Sequence, residues 1–258
     1  STLNLNVANS ISDGQQSFYN TSTLEAGLAN ALSGGIQYFY ENSILNVSAG
    51  DAISGGFQTL NNNTVLYAMT ADAISGGTQQ FYDTAILDAS SADAISGGMQ
   101  IFYSDNILSA NATGAISNGE QHFQNTGILD ANTKGAVSGG AQYFFVNSIL
   151  NANAADAISG GIQYFYDTAT FDASVTDALS NGKQVFFMNS TLRVLAQNSL
   201  TTTANVNFDN KFGGIGGILQ LNGYDTVAGG INSLTKGSGR IVNNGDTNSV
   251  LTINTSLL

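Results

Sequence analysis

One glutamine recurs every 21 residues along most of this chain, and that period limits the fold more than any other feature. The nine positions are Gln16, Gln37, Gln58, Gln79, Gln100, Gln121, Gln142, Gln163 and Gln184. The nine units contain no insertion or deletion. Each unit must therefore take the same structural step, as in solenoids whose repeats stack along one axis. The repeats cover residues 1–196, and the first residues align with the middle of a unit, so we expect the chain to begin inside one. Residues 197–258 lose the register, and we expect a less regular β-helical or capping segment there.

Alternation within the unit predicts strands. The glutamine and the Phe two residues later hardly vary, whereas the residues on either side, such as Ile36 and Tyr38, vary freely. A second run repeats Leu with Ala or Val two residues later, as at Leu87, and a short third run carries Ile, as at Ile53. Such runs between Gly and Asn turns are typical of β-strands. The sequence predicts an all-β fold, a single-chain parallel β-helix with three short strands per 21-residue coil.

Stacking gives the least variable positions a structural meaning. Identical positions of a β-solenoid lie about 4.8 Å apart, so we expect interior columns of Phe on Phe and Leu on Leu. An inward glutamine column can bond its amides to the copies above and below. The constant glycine at Gly35, Gly56 and Gly77 indicates a turn that needs a positive φ or a close backbone approach.

Composition excludes several classes of function. The chain has no Cys and one His, so it has no disulfide framework and no usual zinc or copper ligand cluster. With six Lys and Arg against 18 Asp and Glu, it carries a net charge of -12 and no basic stripe for nucleic acid. No run of about 18 apolar residues is present, so we expect no membrane insertion of this stretch.

The unit Ile-Ser-Gly-Gly-x-Gln, found for example from Ile53 to Gln58, resembles the repeats of bacterial self-associating autotransporter adhesins, including the adhesin involved in diffuse adherence. Residues 219–225, 237–244 and 250–254 are similar to the passenger segment that precedes the membrane-inserted part in that family. The unit here is longer than the adhesin repeats and has Phe-Tyr where they have more glycine. The resemblance implies a right-handed β-helical passenger domain, secreted or displayed on a Gram-negative surface, in adhesion, auto-aggregation or biofilm formation.

Some members of that family carry heptose on serine or threonine, so the resemblance also implies candidate glycosylation sites. These are the repeat serines Ser54, Ser75, Ser96 and Ser159. The alternative is a column of hydroxyls that stabilises a turn.

Asp51, Asp72 and Asp93 occupy one column in successive coils. Stacked carboxylates about 5 Å apart must splay into water, cap turns or share a hard cation such as Ca²⁺. A retaining glycosidase also needs two carboxyls about 5 Å apart, but it needs them in unlike environments, and this column repeats one site. We therefore expect no enzymatic activity and no cofactor except this possible cation.

Two outward columns are candidates for contact with a partner. Asp88, Asp130 and Asp172 lie in a polar stripe that could dock against a second molecule. An aromatic stripe follows the inward Phe and includes Tyr40, Tyr82, Tyr103 and Tyr166. Alternation points these rings outward, where they could stack on sugars or form an interface, unless they fold over a corner against their neighbours.

These patterns favour a non-enzymatic adhesin whose rigid coils present weak, repeated contacts to a second copy or to surface glycans and proteins. One alternative is a structural spacer stalk. Another is a β-helix that binds or processes polysaccharide, which would need a loop or cleft that breaks the repeat.

Overall fold

The computed structural model describes residues 1–211, 216–235 and 239–253. Residues 212–215, 236–238 and 254–258 lie outside the described residues, and with them parts of the motifs at 237–244 and 250–254. All regular elements of the described chain are β-strands, and they stack in parallel as a β-solenoid with up to 12 strands in a sheet. The predicted all-β solenoid with 21-residue coils is confirmed.

The leucine sheet contains the columns of Leu and Ala. It has 12 strands, each paired with the strand one coil away. They are β1 Thr2–Leu5, β3 Thr23–Ala26, β5 Ile44–Val47, β7 Val65–Ala68, β9 Ile86–Ala89, β11 Ile107–Ala110, β13 Ile128–Ala131, β15 Ile149–Ala152, β17 Thr170–Ala173, β19 Thr191–Val194, β21 Ile218–Gln220 and β24 Arg240–Val242.

The glutamine sheet contains the columns of Gln and Phe and has 11 strands. They are β2 Gln15–Phe18, β4 Ile36–Phe39, β6 Phe57–Leu60, β8 Thr78–Phe81, β10 Met99–Tyr103, β12 Glu120–Gln124, β14 Ala141–Phe144, β16 Ile162–Phe165, β18 Lys183–Phe187, β20 Asn205–Asp209 and β23 Gly230–Ser233. A separate pair joins β22 (Thr226–Ala228) to β25 (Leu251–Ile253).

The third strand of each coil is reduced to one residue. Parallel bridges run from Ile11 to Leu32, then from Leu32 to Ile53, and so on to Leu200. A turn with at least one glycine follows each bridge residue from Ile11 to Leu179, as Gly76 and Gly77 follow Ile74, and this turn leaves no room for a longer extended run.

Both sheets continue past residue 196. Lys183 pairs with Asn205 and Thr191 with Ile218, so the coils after the repeats are longer and uneven. No described segment forms a helix of the length and apolarity that a membrane span requires.

The glutamine ladder is confirmed in the core. From Gln37 to Gln184 these side chains are fully buried, and each Nε2 donates to the Oε1 of the preceding glutamine at 2.7–3.0 Å. The same Nε2 also reaches the carbonyl three residues earlier, as Gln79 does with Gly76 at 3.3 Å. At the last rung Val206 replaces glutamine, and the Oε1 of Gln184 has no donor among the described residues.

Beside this ladder, the Phe rings form a second column. Successive rings from Phe81 to Phe186 stack with centroids 4.6–4.9 Å apart and planes within 9° of parallel. From β3 to β19 the Leu and Ala columns of the leucine sheet are also fully buried, as at Leu87 and Ala89. The interior is therefore a set of columns, each packing on its own kind.

The paired glycines are required for two different reasons. At Gly76 a Cβ would lie 2.3 Å from the carbonyl oxygen of Ser54 in the coil below. Gly77 has a φ of +76°, a left-handed conformation that side chains rarely adopt. Both predicted causes, the positive φ and the close approach, are present in this turn.

Substitution of Gln79 by Leu should lower the free energy of unfolding by about 2–4 kcal/mol, because it leaves the Oε1 of Gln58 and the Nε2 of Gln100 without their ladder partners. Urea denaturation measures this loss. The control is Gln80→Leu, the same chemical change on the neighbouring, outward-facing residue, for which we expect less than about 1 kcal/mol. Equal losses for the two variants would contradict a stabilising role of the ladder.

Substitution of Gly76 by Ala should lower the free energy of unfolding by about 2–3 kcal/mol, since the coils must part to admit the methyl group. Gly127 is the matched control, because its added Cβ meets its nearest atom at 3.4 Å and the same column holds Ala85 and Ala169. Gly127→Ala should be neutral or stabilise by up to about 1 kcal/mol. Thermal and urea unfolding of both variants check the difference.

Candidate functional site

The column of Asp51, Asp72 and Asp93 is set by backbone conformation. All three residues have φ of 55–56°, and the equivalent residues of the other coils are Asn, Asp or Gly, also at positive φ. Each N–H donates to the carbonyl of the next coil, as Asp51 does to Asp72 at 2.7 Å. Asn, Asp and Gly are the residues that tolerate this left-handed region. The column therefore has a turn-forming reason to recur that needs no ligand.

In the described part of the chain, no three His, Asp or Glu side chains come together in a group that could hold a metal ion. The cation site at Asp51, Asp72 and Asp93 stays a prediction. Farther along the column, Asp156 binds Lys134, whose Nζ lies 3.0 Å from Oδ2. The Lys134 hydrogen bond lowers the pKa of Asp156 against a smaller opposing effect of burial.

The candidate glycosylation serines Ser54, Ser75, Ser96 and Ser159 are half-buried beside the glycine turn. The hydroxyl of Ser159 lies 3.5 Å from the carbonyl of Val137 in the coil below, and the hydroxyl of Ser180 makes the same bond to Ile158 at 3.4 Å. These contacts favour the turn-stabilising alternative. Glycosylation stays a prediction.

The outward carboxylates of the leucine sheet already have partners within the chain. Asp88 accepts from Asn111 at 2.9 Å, and Asp130 accepts from Asn151 at 2.8 Å. Asp172 is 8% exposed and forms a two-pronged ion pair with Arg193. The hydrogen bonding between Asp172 and Arg193 raises the pKa of Arg193 above its ordinary value. A second molecule would have to compete with these bonds, and the docking role of this stripe stays a prediction.

The aromatic stripe is outward and half-buried, but its rings stack on one another. Tyr82 and Tyr103 lie 4.6 Å apart within 7° of parallel, and Tyr166 lies 5.0 Å from Phe145. Each stacked ring covers the face of its neighbour, so the stripe presents ring edges and hydroxyls to solvent. Burial raises the pKa of Tyr82 and Tyr166, and neighbouring tyrosines add to the shift.

A second aromatic column lies beside the first and was not singled out from the sequence. His122 stacks on Tyr143 at 4.6 Å, and Tyr143 stacks on Tyr164 at 5.1 Å. Tyr164 also lies 6.5 Å from both Tyr166 and Phe187, which joins the two columns. We call the joined set, His122, Tyr143, Phe145, Tyr164, Tyr166 and Phe187, the aromatic patch. The sequence signal for this patch was the presence of aromatic residues at both outward positions of successive units.

Charges of opposite sign flank the aromatic patch. Glu120 begins β12, the first strand of the patch, and Lys183 begins β18, its last strand. The two exposed residues occupy one column, with Ala141 and Ile162 between them. Glu120 also contacts His122 at 3.3 Å, whereas Lys183 makes no ion pair among the described residues.

A shallow groove of about 550 Å³ follows the glycine turn, where Asn118 replaces the first glycine of the pair. Its lining contains one carboxylate, Glu120. Hydrolysis of a glycosidic bond uses two carboxyls, so this groove does not favour the polysaccharide-processing alternative.

The fold and surface define the chain as a β-solenoid with an aromatic outer face. No protein-family model, curated protein or solved structure matches it significantly.

Substitution of Lys134 by Met should raise the pKa of Asp156 toward its ordinary value of 3.8, because the hydrogen bond that lowers it is lost. A carboxyl whose pKa is lowered by folding stabilises the fold above its unfolded pKa, and this contribution disappears as the pH falls through the folded pKa. The variant should therefore lose less stability on acidification than the parent. Carboxyl NMR titration measures the shift, and Lys183→Met, which removes a lysine that is not among the causes of the Asp156 shift, should leave it unchanged.

Proposed function

We propose that this chain is an adhesive rod that associates with further copies of itself through the aromatic patch. The proposal includes surface display as an autotransporter-type adhesin in bacterial aggregation or biofilm formation, which rests on the repeat resemblance alone. The observation that carries the self-association is the aromatic patch with Glu120 at one end and Lys183 at the other. Aromatic surface between complementary charges is typical of protein interfaces.

The charge order suits a two-fold pairing of antiparallel rods. A two-fold axis along the strand direction, between the coils of Gln142 and Gln163, brings each column opposite itself in reversed order. Tyr143 then faces Tyr164 of the second copy, and Glu120 faces its Lys183. The same two contacts occur twice, as an isologous interface requires.

One such contact is weak. The patch is about four coils long, or roughly 20 Å, and it covers far less than the roughly 800 Å² per partner of a stable complex. Rods displayed in large numbers gain affinity from simultaneous contacts, which is the situation at a cell surface. The proposal therefore predicts association that is strong only when many copies are presented together.

The test uses beads that carry many copies of the chain. Parent beads should clump, whereas beads with Glu120→Lys alone or Lys183→Glu alone should disperse, because like charges then meet at both contacts. Mixed beads of the two variants should clump again, since each charge meets its opposite across the antiparallel pair. Light scattering in low and high salt measures the effect, and salt should weaken it.

Asp88→Lys is the matched control, because it makes the same charge reversal on the leucine sheet and should clump like the parent. Clumping of both single variants would exclude this face as the contact. Dispersed parent beads would argue against self-association and favour the spacer stalk.

A further inference from the structure

The outer tyrosine column is interrupted twice, each time by a single residue that is not aromatic. The column consists of three separate stacks, which are Tyr19 with Tyr40, Tyr82 with Tyr103, and Phe145 with Tyr166 and Phe187. Asn61 stands between the first two stacks and Gln124 between the last two. At these two rungs Tyr40, Tyr82, Tyr103 and Phe145 each have a polar residue instead of a ring as their neighbour in the column, although His122 of the second aromatic column lies 6.4 Å from Phe145.

The gap at Asn61 has the geometry of an aromatic sandwich. Tyr40 and Tyr82 are two coil steps apart, about 9.6 Å at the usual strand spacing. A ring placed midway would lie about 4.8 Å from each, and the rings within the flanking stacks are 5.0 and 4.6 Å apart. A planar ring thus continues the ladder at the spacing that the ladder already has.

The side chains around this gap supply polar groups at its edge. The amide of Asn61 donates to the carbonyl of Phe39 at 3.4 Å, which draws it against the coil below. The hydroxyl of Tyr82 donates to Gln80 at 2.9 Å, and this bond holds one wall in place. Burial raises the pKa of both Tyr40 and Tyr82, so both walls stay uncharged at neutral pH.

We propose that each gap binds one planar aromatic ring with a polar edge, of the phenol or indole class. The guest is sandwiched between Tyr40 and Tyr82 at the first gap and between Tyr103 and Phe145 at the second. The first gap lies outside the aromatic patch, whereas Phe145 of the second gap belongs to it. Ring binding does not depend on the self-association proposed above.

The chain has no Trp, so an indole guest can be followed by its own fluorescence. Titration of the parent chain with N-acetyltryptophanamide should raise the anisotropy of the indole, with two guests bound per chain. Asn61→Tyr should reduce the number to one, and the double variant N61Y/Q124Y should reduce it to zero. Asn61→Ala leaves the gap open and should keep both sites.

Asn61→Tyr also tests the gap without any guest. Tyrosine is native at this position in other coils, as at Tyr40, so the variant is compatible with the fold. If the gap accepts a ring, the substituted side chain completes the stack and raises the midpoint of thermal unfolding. A lower midpoint, a parent chain that binds no indole, or a double variant that still binds two would each overturn the proposal.

The guest could come from a free aromatic compound or from a side chain of another polypeptide. Free indole and a Gly-Ser peptide with one Trp distinguish these sources. Competition of the peptide at the same two sites supports a polypeptide partner, and competition by free indole alone supports a small molecule.

Discussion

Each coil lies directly on the next in register, so every position must accept its own copy about 4.8 Å away. Glutamine meets this condition in a buried column because its amide both donates and accepts, whereas a buried column of carboxylates or ammonium groups would repel itself. The same condition explains the glycine pair, since the carbonyl of Ser54 occupies the space that a Cβ of Gly76 would need. The backbone contact between coils therefore decides which residues can recur.

The interior could be predicted from the sequence because stacking turns each invariant position into a column. Gln79 keeps its identity along the repeat, Phe81 and Leu87 keep theirs with one exception each, and all three are fully buried. Alternation then assigns their neighbours to the outside. The length of the third strand was less accessible, because one Ile per unit does not reveal whether the residues beside it are extended or belong to the glycine turn.

The side-chain contacts of the outer columns could not be predicted from the 21-residue period. Asp88 bonds to Asn111, which belongs to a different column, and only the turn geometry brings these two side chains together. The stacking of Tyr82 on Tyr103 depends on side-chain rotamers, which decide whether rings present faces or edges. The restriction of the Asp51 column to Asn, Asp and Gly was visible in the sequence and indicates a left-handed turn before it indicates a metal ligand.

Charge along the rod also favours an antiparallel contact. Residues 1–133 contain 11 acidic and no basic residues, whereas residues 134–258 contain seven acidic and six basic residues. Two rods side by side in the same direction would place their acidic halves together. Carboxylates that meet at the contact within the screening length of about 8 Å then repel each other. Reversal about the coils of Gln142 and Gln163 places the coils of Gln79, Gln100 and Gln121 against the nearly neutral half of the other copy, and the coils of Gln16, Gln37 and Gln58 extend past the last strand of its glutamine sheet. The long-range charge and the local Glu120 and Lys183 pair therefore select the same orientation.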